Sequence, residues 1–223
     1  MLKTCEHPKH SRATDAKRTL IVFARAPELG SVKTRLAAAL GAEEALSIYR
    51  LLAERVVAAV LGAGSYSVTV AYTPSRAEPV MRRWLGRSVD LQAQSHGDLG
   101  QRMATAIAEA TSAGAERVVV IGTDCPDVTA GVVEEAFTRL DAADVVLGPA
   151  SDGGYYLIGM SRLHRELFEG VAWSSADTRR VTLERAHAIG LSVALLEERR
   201  DVDTAEDWRV WLASAGQPGG PTR

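Results

Sequence analysis

Residues 117–127 read RVVVIGTDCPD: an apolar run from Arg117 to Gly122, then a break that carries Asp124 ahead of Pro126. A strand ending in a carboxylate is the arrangement on which the rest of the chain can be hung. In open α/β sheets, ligands bind outside the carboxyl ends of the strands, so an acid at that edge is placed to hold a metal against a substrate phosphate.

Outward from this stretch, strand-like runs recur at residues 19–24 (TLIVFA), 66–72 (YSVTVAY), 89–94, 145–148 and 192–196. Helix-period segments fill the gaps. Within residues 43–61, Leu46, Tyr49, Ala53, Val56, Val57 and Val60 share one face, and Leu99, Met103, Ile107 and Ala110 repeat the pattern. This alternation predicts an α/β fold, a layered sheet covered by helices. Residues 1–18 and 214–223 lack periodicity and read as a disordered polar tail and a flexible tail, leaving 19–213 as one domain. Cys5, His7 and His10 in the first tail make only an incomplete zinc set.

The chain has 223 residues, 46% hydrophobic and 24% charged, with a formal charge of -2. That balance provides no whole-molecule basic field for nucleic acid. Apolar runs are too short for a signal peptide or a membrane span. Cys5 and Cys125 form no disulfide framework and no C-x-x-C pair, so a reducing cytoplasm is expected.

The first strand runs into residues 25–36, RAPELGSVKTRL. Lysine or arginine in the first turn of a helix opposes the macrodipole by about 0.3–1 kcal/mol each, so Lys33 and Arg35 are poorly explained by local stability. A polyphosphate met by backbone N–H groups, with Arg25 closing the other side, would explain them. The competing reading is a solvated basic turn capped by Ser31. The G-x-x-x-x-G-K-[ST] pattern is absent, which excludes a P-loop ATPase or GTPase.

A second acid, Asp203, lies in residues 200–207 (RDVDTAED), again just after a strand-like run. Magnesium takes one or two protein carboxylates, so Asp124 and Asp203 suffice as its ligands. Asp203 with Glu206 equally resembles a capping box for a helix over residues 204–212. A cap is less natural for Asp124, because Pro126 biases Cys125 towards extended geometry and the next helix begins near Thr129. Asp127 reads as turn chemistry. Cys125 lacks a paired base, and a neighbouring carboxylate disfavours its thiolate.

Two glycine-bearing stretches have double readings. Residues 151–156 (SDGGYY) carry an Asp-Gly hairpin signal, yet paired glycines also allow a ligand close to the backbone, with Asp152 facing the acceptor or its metal. In residues 96–103 (HGDLGQRM), Asp98 is a sound N-cap, while Gly97 and Gly100 can clear space for a base or sugar. Trp173 follows Leu167, Phe168 and Val171 and reads as packing at the acceptor side.

Taken in order, LIVFARAPELGSVKTRLA, QSHGDLGQRM, VVVIGTDCPDVT, DVVLGPASDGGYYLIGM, AWSS and DVDTAEDW resemble an uncharacterised (DUF2064-type) family of the nucleotide-diphospho-sugar transferase superfamily. That family is similar to 2-phospholactate guanylyltransferase and molybdenum-cofactor nucleotidyltransferases. The resemblance implies a GT-A type fold, a Rossmann-like mixed sheet flanked by helices. It puts Arg25, Lys33 and Arg35 in the phosphate-binding first loop, Asp124 at the metal-ligand position and Asp203 at the late metal-binding acid. Asp152, Gly153 and Gly154 fall on the acceptor side, and Gly97, Asp98, Gly100 and Arg102 near the nucleotide. The chain departs from the usual L-A-A-G-x-G-T-R first loop and from the Asp-x-Asp of many glycosyltransferases.

The leading expectation is an Mg- (or Mn-) dependent nucleotidyltransferase that moves NMP from an NTP to a phosphate- or phosphonate-bearing small molecule and releases pyrophosphate. Asp124 and Asp203 hold the metal, and Lys33 and Arg35 stabilise charge on the phosphoryl oxygens. An acceptor already ionised needs no general base. One alternative is a GT-A glycosyltransferase using a nucleotide-diphospho-sugar, with Asp152 as base. Another is a non-catalytic nucleotide-binding module. The expected partners are an NTP or nucleotide-diphospho-sugar and a small-molecule acceptor, with neither nucleic acid nor membrane.

Overall fold

The computed structural model describes residues 18–173 and 175–215. Most of both expected tails, with Cys5, His7 and His10, lies outside the described residues. Arg18 already belongs to the first strand, and the last helix runs to Ala215.

Strands β1 (Arg18–Arg25), β2 (Ser67–Thr73), β3 (Asp90–Ala93), β4 (Arg117–Ile121), β5 (Val145–Pro149), β6 (Tyr155–Met160) and β7 (Val193–Leu195) form one sheet in the order β3-β2-β1-β4-β6-β5-β7. Strand β6 runs antiparallel to β4 and β5, and the other described pairings are parallel. The expected mixed α/β sheet is therefore present. All of its strands but β6, which follows the Asp-Gly turn, fall where apolar runs were read, because the central ones are buried on both faces. In β1, Leu20 and Val22 pack on one side with Val56, Val119 and Phe137, while Ile21 packs on the other with Met103, Ile107 and Val120.

Helices α2 (Ala42–Val60), α3 (Glu78–Leu85) and α5 (Ala130–Arg139) supply residues to the first face; α4 (Leu99–Ser112) and α6 (Thr178–Ala188) supply the second. The predicted stripe of α2 is buried at Tyr49, Ala53, Val56, Val57 and Val60 and also includes Ala45, Ile48 and Leu52. No helix among the described residues is long and apolar enough to cross a membrane.

The fold positions the site in two ways. Strand β1 has β2 on one side and β4 on the other, so the chain order reverses between β1 and β4. Such a switch point opens a crevice at the carboxyl ends. A separate cluster of Leu36, Ile48, Leu52 and Val202 joins α1 (Thr34–Leu40) and α2 to α7 (Ala205–Ala215), with Trp208 and Trp211 against it. Val202 is 1% exposed, so burying it draws its acidic neighbours Asp201 and Asp203 to the first loop.

Candidate functional site

The crevice holds a cavity of about 580 Å³ whose wall includes Arg25, Lys33, Arg35, Arg102, Asp124 and Asp203. This lies within the usual size of small-molecule sites, roughly 300–1,000 Å³. Asp152 and Gly154 also line it, as do Tyr155 and Trp173. Of the residues singled out in the sequence, Gly97, Asp98, Gly100 and Gly153 are not in its wall.

At the floor, Lys33 Nζ lies 2.6 Å from Asp124 Oδ1 and 2.8 Å from Asp203 Oδ1. It also donates to the Val202 carbonyl at 2.6 Å. Three acceptors match the three donors of an ammonium. The Lys33 side chain is 4% exposed, against 48% for Asp124 and 38% for Asp203, so the acids face the cavity and the lysine sits behind them. The expected open phosphate ligand is thus turned onto the two acids, because a buried ammonium requires paired charge.

Backbone geometry fixes that arrangement. Lys33 is the N-cap of α1, with left-handed φ 48° and ψ 49°, and its side chain makes no cap bond. Ser31 is not the cap; its hydroxyl donates to the Glu28 carbonyl at 2.7 Å. The Val202 N–H donates to the Asp124 carbonyl at 2.9 Å, so one residue ties the end of β4 to the late acidic segment. Burial alone would push the Lys33 pKa down, but attraction by Asp124 and Asp203 outweighs it and holds the group above its ordinary value.

The double reading of Asp203 resolves one residue further on. Thr204 Oγ1 accepts from the Asp207 N–H at 3.2 Å, and Asp207 Oδ2 accepts from the Thr204 N–H at 2.9 Å. That reciprocal pair caps α7, which leaves Asp203 free of the capping task and Glu206 on the surface with Arg209.

Asp201 was not singled out by sequence reasoning. It lines the cavity, its Oδ1 has no hydrogen-bond partner, and burial, then repulsion by Asp124, Asp152 and Asp203, pushes its pKa up to about 7. The available signal was spacing: residues two apart in an extended segment share a face. With Val202 turned into the core, Asp201 and Asp203 both turn out. Tyr49 was read as core and is 4% exposed, but its hydroxyl also accepts from the Arg25 N–H at 2.8 Å and donates to the Arg25 carbonyl at 2.7 Å. It clamps the start of the first loop. Burial pushes the Tyr49 pKa up to about 12, which keeps the hydroxyl protonated as a donor.

Arg102, on α4, is oriented by Gln94, the residue after β3. Its Nη1 donates to Gln94 Oε1 at 3.2 Å, while Gln94 Nε2 donates to the Ala71 carbonyl at 2.7 Å. Asp98 and Gln101 make a full capping box. A Cβ on Gly97 would collide with that Gln101 side chain, and one on Gly100 would lie 2.7 Å from the Phe168 carbonyl and overlap Trp173. Gly97, Asp98 and Gly100 serve the helix start and its packing. Trp173 stacks on Phe168 at 6.4 Å and meets Tyr155 edge-on at 6.5 Å, as its packing role predicts.

The Asp152 turn is a hairpin between β5 and β6, with Asp152 Oδ1 accepting from the Gly154 N–H at 2.8 Å. Gly153, at φ +91°, faces the Ala176 backbone and supports the turn. Asp152 itself is exposed at the cavity. Cys125 is 1% exposed, and burial together with nearby Asp201 pushes its thiol up to about 12, which leaves it inert. Asp127 accepts from Trp211 Nε1 at 3.3 Å.

Among the described residues, no group of three or more His, Cys, Asp or Glu side chains is placed to hold a metal. Asp124 and Asp203 provide two partly exposed carboxylates with oxygen donors only, a set that fits magnesium or manganese completed by water and phosphate. The donor chemistry fits the expected cation.

This is the sheet and crevice of the nucleotide-diphospho-sugar transferase class. The chain belongs to the family described as "Uncharacterized protein conserved in bacteria (DUF2064)", which matches residues 56–175. It is 33% identical to a "putative nucleotide-diphospho-sugar transferase" from Desulfovibrio desulfuricans G20, covering 90% of this chain and 88% of that one, with a TM-score of 0.86. A CMP:2-keto-3-deoxy-manno-octonic acid synthetase complexed with CTP is 15% identical over 88% and 98% of the two chains, with a TM-score of 0.55. The Rv0371C protein of Mycobacterium tuberculosis H37Rv in complex with manganese is 18% identical over 89% and 99%, with a TM-score of 0.52. The last two likenesses are of fold. No protein of curated function matches the chain.

Proposed function

We propose that the protein is a divalent-cation-dependent nucleotidyltransferase, active in the cytoplasm through its domain at residues 19–213. The observation that carries this reading is the pair Asp124 and Asp203 converging at the β1–β4 switch point, below a nucleotide-sized cavity edged by Arg25, Arg35 and Arg102. An ionised phosphate or phosphonate oxygen of the acceptor attacks the α-phosphorus of an NTP. The bond to the β-phosphate oxygen breaks, and its electron pair leaves with pyrophosphate.

Asp124 and Asp203 would hold magnesium or manganese, which supplies charge neutralisation at the phosphates. Arg25 and Arg35, both exposed at the cavity, bind the polyphosphate, and Tyr49 keeps Arg25 in place through its backbone. Arg102, braced by Gln94, binds the nucleotide from the α4 side. Lys33 supplies positive charge from behind the two acids. Asp152 and Gly154 bound the acceptor end. A synthetase of the same fold in complex with CTP supports this reading in kind.

Glycosyl transfer from a nucleotide-diphospho-sugar is the second reading. It is favoured by exposed Asp152 at the cavity, a carboxylate available as base for a hydroxyl acceptor, and by the likeness to the 33%-identical nucleotide-diphospho-sugar transferase relative. Products separate the two: pyrophosphate from an NTP marks nucleotidyl transfer, and free nucleoside diphosphate marks glycosyl transfer. Asp124→Ala is expected to abolish NTP-dependent pyrophosphate release, and full retention of that release would overturn the mechanism. Nucleotide binding indifferent to magnesium and to Asp124→Asn would instead identify a non-catalytic module.

A further inference from the structure

We infer that Lys33 is the resident cation of the Asp124–Asp203 pair, so that the site disfavours a bare divalent ion and takes the metal up already bound to the triphosphate. This inference rests on the proposed metal site and concerns the form in which its ligand arrives.

Geometry supplies the first part of the argument. Nζ has three acceptors, Asp124 Oδ1, Asp203 Oδ1 and the Val202 carbonyl, at 2.6, 2.8 and 2.6 Å. An ammonium has three protons to give, so no donor remains for a phosphate while this arrangement holds. The arrangement is also held against a local cost. A non-glycine residue in the left-handed region is disfavoured by about 1–2 kcal/mol, and Lys33 at φ 48° makes no side-chain cap bond in return. What offsets that cost is the ion-pair set, drawn from three chain segments.

Charge supplies the second part. The ammonium offsets one of the two charges of the Asp124–Asp203 pair, and it lies within hydrogen-bond distance of both acids. A bare divalent ion must displace Nζ or accept a like charge beside it. A metal–triphosphate complex brings its own phosphate oxygens, which would become the acceptors to which Nζ transfers as the metal takes its place on the acids. Lys33 thereby couples metal to nucleotide, and its phosphate role is earned only when the two arrive together.

The test titrates Mn²⁺ alone into the protein and follows the electron paramagnetic resonance signal of the free aquo ion. Lys33→Met keeps the apolar stem without the charge, and Lys33→Gly suits the positive φ. Both are expected to bind bare Mn²⁺ more tightly than wild type, by about 5- to 150-fold, the usual span of a coupling between sites. Folding of each variant is checked by its thermal midpoint. On the unmodified protein, Mn²⁺ with tripolyphosphate is expected to bind more tightly than Mn²⁺ alone, which keeps the test decisive if both variants fail to fold.

Bare Mn²⁺ bound no more tightly by folded Lys33 variants, or as tightly as its tripolyphosphate complex by wild type, overturns the inference. Asp124→Asn tells that failure apart from failure of the metal site. If it weakens Mn²⁺ binding while the Lys33 variants change nothing, only the role of Lys33 falls; if it leaves Mn²⁺ binding unchanged, the acid pair is not the metal site and both readings fall.

Discussion

The loop around Lys33 and the start of α4 around Asp98 present the same kinds of residue, an acid or base beside a helix start with glycine nearby, and end in opposite employments. Asp98 finds its partner three residues away, in the Gln101 N–H at 2.8 Å. Lys33 finds Asp203 170 residues away. A polar group satisfied by its own turn needs nothing further, whereas one satisfied only by convergence of distant segments marks where the fold concentrates charge. Sequence separation between partners distinguishes the two regions better than residue type does.

The largest test of this contrast is activity. Asp203→Ala is expected to lower pyrophosphate release by about 10²–10³-fold, the scale of losing one preorganised electrostatic contact. Asp98→Ala is expected to leave turnover within about threefold, since its loss is local. A collapse of turnover in a folded Asp98→Ala protein, measured beside its melting curve, would break the comparison.

Next comes packing. Gly100→Ala places a methyl against Trp173 and 2.7 Å from the Phe168 carbonyl, an overpacking expected to destabilise by about 1–3 kcal/mol in urea unfolding. Little change would mean that space at Gly100 is genuinely open to a ligand.

The acid cluster also predicts a pH dependence. Because the folded-state pKa of Asp201 is raised to about 7, folding binds a proton between the ordinary carboxylate range and neutrality. Its contribution therefore becomes less favourable as pH rises through that window, with the full cost present above about pH 7. Asp201→Asn is expected to stabilise the metal-free protein by on the order of 2 kcal/mol at pH 8 and to bring almost no change near pH 4. Equal effects at both pH values in chelator-treated protein would show that charge is not the cause.

The smallest effect sharpens the local side of the contrast. Asp98→Ala should cost about 1 kcal/mol of stability through its cap alone, read from the denaturation midpoint.

Much of the fold was legible in the sequence because strands buried on both faces must be written as apolar runs, as at Leu20, Ile21 and Val22. The convergence of Arg25, Lys33, Arg35, Asp124, Asp152 and Asp203 on one cavity matches the order of motifs. What the sequence left open was the employment of each group. The cap of α7 shifted from Asp203 to Thr204 because several acids there satisfy the same local pattern, and only three-dimensional burial of Val202 decides which turn outward. Asp201 went unread for the same reason. The direction of Lys33 Nζ could not be read either, since helix-start arguments describe the backbone and not where a four-carbon stem ends.

The bond between Lys33 and Asp203 also sets an order in time. On a ribosome adding about 5–20 residues per second, the 170 positions between them take roughly 10–30 s to synthesise. From Ala93 onward β1, β2 and β3 have their sequence available, yet the ammonium lacks its second carboxylate, and the carbonyl of Val202 does not yet exist. The nascent chain can assemble three strands of its sheet, but its charged centre closes only after Asp203 has been added.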